Sequence, residues 1–209
     1  MKATIWAVFA LFAIVVSDLA SAEVRLAVLG DSLTAGYGLA RADSFPAQLE
    51  AKLSESGLAV VVINAGVSGD TTAGGRRRLD WLLDDEPQAV ILELGANDGL
   101  RGIDPEQTYR NLDAILTRLA EEGLPVLLTG MLAPPNYGLA YGKAFKAIFP
   151  RLADKHHVPL YPFFLDGVAG RSDLNQRDGL HPTAAGVAVI VEGILPAVED
   201  LLETINQQP

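Results

Sequence analysis

Past its first 22 residues the chain alternates short apolar runs with longer segments whose apolar residues recur every three or four positions. The short runs lie at 24–29, 59–63 (Ala-Val-Val-Val-Ile), 89–94, 126–129 and, more weakly, 158–161. They are rich in β-branched and aliphatic residues and largely lack polar alternation, which suits strands covered on both faces. Between them the helical pattern takes over. Ser44 to Ser56 carries Phe45, Leu49 and Leu53 four apart, and Gly57 stops it. A second helical segment spans 72–83, with Pro87 beyond it. Asp104-Pro105 reads as a cap followed by proline at the first helical position. The helix it opens runs to about Glu122, with Leu112, Ile115, Leu116 and Leu119 on one side and Gly123 at its end. A fourth helix is expected over 141–155, with a break near Pro150, and a last one over 183–205. Strand–helix alternation predicts one α/β domain of three layers, α/β/α, with a parallel sheet and right-handed crossovers. A functional crevice then belongs beyond the carboxyl ends of the strands.

The first 22 residues have a different pattern. Lys2 precedes an apolar run from Ala3 to Val16, and Ala20-Ser21-Ala22 is a small-x-small cleavage signal. This predicts a removable secretory signal at 1–22, a domain over 23–209, and a periplasmic or extracellular location. The run is shorter than the ~20 residues of a spanning helix, which favours a removable signal over an uncleaved N-terminal anchor. No second apolar stretch is long enough to span a bilayer, so no stable membrane insertion is expected once the signal is removed. The chain has no cysteine, so an oxidising compartment offers it no disulfide and packing must supply its stability. Lys and Arg total 16 against 26 Asp and Glu, and the formal net charge of −10 argues against nucleic acid or an anionic membrane as the main partner. Arg76-Arg77-Arg78 is the one basic cluster, read as a solvated helix face. Oligomeric state has no signature in the sequence.

The chemistry-bearing residues gather at the ends of the predicted strands. The first strand runs into Gly30-Asp31-Ser32-Leu33, the second into Asn64-Ala65-Gly66-Val67-Ser68-Gly69-Asp70, and the third into Gly95-Ala96-Asn97-Asp98. Asp178-Gly179-Leu180-His181 precedes the last helix. Ser32 can be a helix cap or a nucleophile, and a serine nucleophile needs a base. Of the three histidines, His156 and His157 sit together beside Lys155 as surface or boundary residues, with no ligand pattern that completes a metal site. His181 has Asp178 three residues before it, a spacing at which a tight turn can set the carboxylate against Nδ1 and leave Nε2 free as an acceptor. Acyl transfer also needs donors for an oxyanion. The Ser32 and Gly69 N–H groups and the Asn97 amide are the candidates, although Gly69 can equally shape a turn and Asn97 an Asx-turn.

Gly-Asp-Ser-Leu at Gly30, Gly69, Gly-Ala-Asn-Asp at Gly95 and Asp-Gly-Leu-His at Asp178 occur in the order of the SGNH (GDSL-type) hydrolases, which the chain resembles over essentially all of 23–209. Longer stretches resemble the bacterial periplasmic thioesterase I, lysophospholipase and arylesterase subgroup. They are Gly-Asp-Ser-Leu-Thr-Ala-Gly-Tyr-Gly, Ser-Gly-Asp-Thr-Thr from Ser68, Glu-Leu-Gly-Ala-Asn-Asp-Gly-Leu-Arg-Gly from Glu93, and Pro-Asn-Tyr-Gly from Pro135. The resemblance implies a flavodoxin-like sheet of order 2-1-3-4-5, no cofactor and no metal. It implies Ser32, His181 and Asp178 as catalytic residues, Ser32, Gly69 and Asn97 as oxyanion donors, and a small acyl ester or thioester as substrate.

Leu39, Met131, Leu132, Ala133, Pro134, Pro135 and Tyr137 fall in loops near the expected crevice. They can line an acyl groove, with Leu39, Pro134 and Tyr137 as candidate substrate contacts, or simply pack the loops. Two rival readings use the same scaffold. A carbohydrate O-acetylesterase would want an aromatic-lined cleft, against 7% aromatic residues in the chain. A non-catalytic lipid or glycan binder would be expected to have lost a catalytic residue, and none is missing.

Overall fold

The structure, a computed structural model, describes residues 23–206, so the expected signal at 1–22 lies outside the described residues. Five strands, β1 (Val24–Gly30), β2 (Val60–Gly66), β3 (Ala89–Leu92), β4 (Val126–Thr129) and β5 (Leu160–Tyr161), form one parallel sheet in the order β2-β1-β3-β4-β5. The flavodoxin-like α/β architecture and the order 2-1-3-4-5 are as expected. Leu26 to Leu29 and all of β3 are buried on both faces, which is why these strands read as continuous apolar runs. Helices α1 (Ser32–Ala35), α2 (Phe45–Glu55), α3 (Thr72–Arg77), α4 (Leu79–Leu83), α5 (Ala96–Leu100), α6 (Pro105–Glu121), α7 (Gly138–Lys146), α8 (Ile148–His156) and α9 (Ala184–Asn206) surround it. One layer contains α2 packed on α9; α6, packed on α3 and α8, belongs to the other. The apolar stripe of α6 (Leu112, Ile115, Leu116, Leu119) is fully buried, and Asp104 caps that helix through the Glu106 N–H at 3.1 Å.

Several bounds differ from the sequence reading, each for a non-local reason. Strand β2 continues to Gly66, where it pairs with Gly30 of β1. The single turn α1 lies on that end so closely that a Cβ on Gly66 would come within 2.5 Å of the Ala35 nitrogen. Strand β3 stops at Leu92, and β5 has only two residues. The helix expected over 72–83 breaks at Arg78, which leaves helical geometry (φ −104°, ψ 11°). The fourth helix breaks at Ala147, three residues before Pro150. A proline ring clashes with the carbonyl four residues earlier, here Lys146, while the first turn of a new helix tolerates proline. Pro150 thus falls in the first turn of α8.

Candidate active site

The β1 strand ends in a turn that Asp31 organises. Its Oδ1 accepts the Leu33 N–H at 2.9 Å and caps α1. Ser32 is the first residue of α1, where an N–H has no intrahelical acceptor. The Ser32 Oγ lies 2.9 Å from His181 Nε2, and His181 Nδ1 lies 2.7 Å from Asp178 Oδ2. Asp178 Oδ1 also accepts the Leu180 N–H at 2.9 Å and the His181 N–H at 3.0 Å. The backbone N–H of His181, then its ring, then the Leu180 N–H pull the Asp178 carboxyl down to about 2. The ionised carboxylate favours the proton on Nδ1 and leaves Nε2 to accept from the Ser32 hydroxyl. Gly179, at φ +70°, gives the intervening turn its left-handed residue. The Tyr37 ring flanks the imidazole, with centroids 4.5 Å apart.

Asn97 stands in the first turn of α5, and its Nδ2 donates to Asp31 Oδ2 at 3.0 Å. It lines the same cleft as Ser32 and His181. Gly69 has φ +80° in the loop after β2, and its carbonyl accepts from Arg101 Nη2 at 2.8 Å. Asp31 is fully buried, and burial pushes its carboxyl up to about 6 despite the bonds from Leu33 and Asn97 and the charge of His181. Beneath it Glu93 is also fully buried and raised well above the usual range, by burial first and then by the Asp31 charge.

Other polar side chains brace these loops. Arg78 is not part of a solvated face; Arg76 and Arg77 are exposed, but Arg78 turns inward. Its guanidinium meets Asp70 Oδ2 at 2.7 Å, the Ala65 carbonyl at 2.6 Å and the Gly30 carbonyl at 2.8 Å, joining the ends of β1 and β2. Asp98 accepts from the Thr72 N–H (2.9 Å) and hydroxyl (2.5 Å) and from the Thr108 hydroxyl (3.2 Å), tying α3 and α6 to α5.

The cleft at the polar cluster encloses about 480 Å³, and its apolar lining includes Leu100, Met131, Leu132, Ala133, Pro134 and Phe163. Of the candidate substrate contacts, Pro134 is on this wall. Leu39 instead packs against the core. Tyr137 is outside the lining; its hydroxyl donates to the Leu100 carbonyl at 3.0 Å and its ring meets Tyr141, so it props the end of α5. His156 Nε2 lies 2.7 Å from Asp113, and His157 closes α8 at φ +53°. Among the described residues no group of three His, Cys, Asp or Glu side chains is arranged to hold a metal ion.

The profile of the GDSL-like Lipase/Acylhydrolase family matches residues 28–189. The chain belongs to this family. It is 42% identical over 183 residues to the Esterase TesA of Pseudomonas aeruginosa, covering 87% of this chain and 91% of that one. It is 38% identical over 198 residues to the Thioesterase 1/protease 1/lysophospholipase L1 of Escherichia coli, covering 94% of each. Among solved structures, the psychrotrophic esterase EstA from Pseudoalteromonas, inhibited by monoethylphosphonate, superposes with a TM-score of 0.81 at 36% identity, over 86% of this chain and 98% of that one. Sequence reasoning assigned no role to Asp31 or Glu93 and set Arg78 on a solvated face. A signal was present for the two carboxylates, Glu93 set between Leu92 and Leu94 and Asp31 one glycine past the apolar run that ends at Leu29.

Proposed function

We propose that this carboxylic ester hydrolase works through Ser32 as nucleophile, His181 as general base and acid, and Asp178 as the group that orients the imidazole. The observation that carries this reading is the continuous pair of short contacts from Ser32 Oγ to His181 Nε2 (2.9 Å) and from His181 Nδ1 to Asp178 (2.7 Å). In the first half-reaction Ser32 Oγ bonds to the acyl carbon while its proton passes to Nε2. The oxyanion takes hydrogen bonds from the Ser32 and Gly69 N–H groups and from the Asn97 amide. Collapse breaks the bond to the leaving alcohol or thiol, which receives the proton from His181. In the second half, water attacks the acyl-enzyme as Nε2 takes its proton, and Ser32 leaves with that proton restored.

The substrate class is an acyl ester or thioester with an apolar acyl group. The cleft lining supports this, since beyond Ser32, Asn97, Asn175 and His181 it has no polar side chain. The names of the two enzyme relatives, an esterase and a thioesterase and lysophospholipase, support it too. An acetylated sugar would leave that apolar wall uncovered. The leader at 1–22 carries the reading that the enzyme acts outside the cytoplasm, which the N-terminal residue of the mature protein tests.

A chain-length series of p-nitrophenyl esters, run beside acyl-CoA thioesters and acetylated sugars, tests the class. Activity on the first two that rises with chain length beyond acetyl is expected. Activity confined to acetylated sugars overturns the acyl-cleft reading. Ser32→Ala should lose at least ~10³-fold in turnover. A reactive phosphonate ester should add one adduct to the wild-type chain at Ser32 and none to Ser32→Ala. Near-normal turnover in Ser32→Ala contradicts the mechanism.

A further inference from the structure

Two carboxyl groups lie under the nucleophile turn with no cation beside them. Among the described residues no Lys or Arg forms an ion pair with Asp31 or Glu93. Glu93 has no exposed surface, and its Oε1 has no hydrogen-bond partner. Its backbone N–H donates to the Leu29 carbonyl at 2.8 Å, which pins it to β1, and its Oε2 accepts the Asp31 N–H at 3.3 Å. The backbone above it is in direct contact. A Cβ on Gly30 would stand 2.8 Å from Glu93 Oε2 and 2.2 Å from the Thr34 hydroxyl. Above that floor the Asp31 carboxylate reaches Leu33 N in one direction and the Asn97 amide in the other.

For stability alone this is a poor choice of residue. A buried acid with an unpaired oxygen costs folding free energy that a leucine of similar size avoids. Keeping such a group directly beneath the nucleophile implies a use for it.

We propose that Glu93 is a positioning residue for ester hydrolysis, seating the Gly30–Asp31 backbone from below so that Ser32 and the Asn97 amide keep one register. This rests on the assignment of Ser32 as nucleophile. The groups that face the pair come from four directions: Thr34 from α1, Asn97 and Asp98 from α5, His181 from the loop before α9, and Arg78 from the α3–α4 junction. Arg78 is engaged by Asp70 and the Ala65 and Gly30 carbonyls, so it does not neutralise Glu93. Burial and the neighbouring Asp31 charge therefore favour the neutral form of Glu93.

The test compares Glu93→Leu and Glu93→Gln with the wild-type full chain, reading kcat and KM on a soluble p-nitrophenyl ester and Tm from pH 5 to 9. Glu93→Leu should melt no lower than wild type at pH 8, yet lose about tenfold to a hundredfold in kcat with KM little changed, part of what total loss of an oxyanion donor costs. Glu93→Gln keeps an oxygen for the Asp31 N–H and should hold kcat within about threefold of wild type, because the bond rather than the acid does the seating. Its Tm advantage over wild type should grow with pH, since only wild type must keep an acid protonated there. Wild-type kcat in Glu93→Leu, or a Glu93→Gln enzyme as slow as Glu93→Leu, overturns the proposal. If Glu93→Leu does not fold, Glu93→Met takes its place, and wild-type kcat there overturns the proposal. Ser32→Ala run alongside separates the two claims, because residual turnover there removes the nucleophile assignment while the Glu93 melting series still reads out.

Discussion

Asp178 and Asp31 are the same residue type, one hydrogen-bonded to His181 and the other next to Ser32 in the chain, and their environments drive them in opposite directions. Asp178 sits in a partly exposed turn and takes three hydrogen bonds, two from backbone N–H groups, and its carboxyl falls to about 2. Asp31 takes two such bonds from Leu33 and Asn97 and rises to about 6, because it is fully buried. At Asp31 desolvation outweighs similar hydrogen bonding and the charge of His181. The exposed carboxylate can stabilise an imidazolium, and the buried one ties the turn at Ser32 to Asn97.

The largest test of that contrast is Asp178→Asn. It keeps an oxygen for the turn but puts an amide against Nδ1, and turnover should fall by ~10²–10⁴, with a Tm close to wild type. A large drop in Tm would mean that Asp178 holds the fold rather than the base. Arg78→Met comes next, measured by urea unfolding. It removes one partly buried ion pair and two charge-assisted bonds at the strand ends and should destabilise by about 2–4 kcal/mol. A value under ~0.5 kcal/mol would return Arg78 to the solvated face that its sequence suggests.

The two aspartates should also leave separate marks on stability against pH. Asp31 ionises near 3.8 when unfolded and near 6 when folded. Between those values the unfolded chain releases a proton that the folded chain keeps, so stability falls as pH rises, by about 2–3 kcal/mol. Asp178 has the opposite sign: its folded value of about 2 lies below its unfolded 3.8, so its contribution is present above 3.8 and is lost as pH falls toward 2. Solvent screening at that exposed site keeps the second effect under about 1 kcal/mol. Asp31→Asn should lessen the decline from pH 4 to 6, leaving the share that the buried Glu93 contributes, and leave the acid arm intact; a decline as steep as that of wild type assigns it elsewhere. The smallest effect belongs to Tyr137→Phe, which loses one bond to the Leu100 carbonyl and should cost about 0.5–1 kcal/mol. Since Tyr137 does not line the cleft, chain-length preference should not move, and a shift would restore it as a substrate contact.

How far the sequence could be read varied with the range of the interactions. The strands were legible because a sheet covered on both faces writes itself as unbroken apolar runs. The ends of α6 were legible because Asp104 and Pro105 act within one turn. The break at Arg78 was not, because its partners, Asp70 and the carbonyls of Ala65 and Gly30, lie up to 48 positions away. Leu39 and Tyr137 share their composition with true lining residues, and only packing separates them.

The amino-acid sequence alone determined the layered α/β plan, the four loop blocks at the carboxyl ends of the strands, and the Asp178–His181 pair, whose partners are three residues apart. Each is set by periodicity or by contacts within a turn. Tertiary structure decided that Ser32 meets His181 across 149 positions, which apolar residues wall the cleft, and that one aspartate becomes a stronger acid and the other a weaker one. Those depend on desolvation and on how crossovers stack on a twisted sheet, quantities that exist only once distant segments have packed.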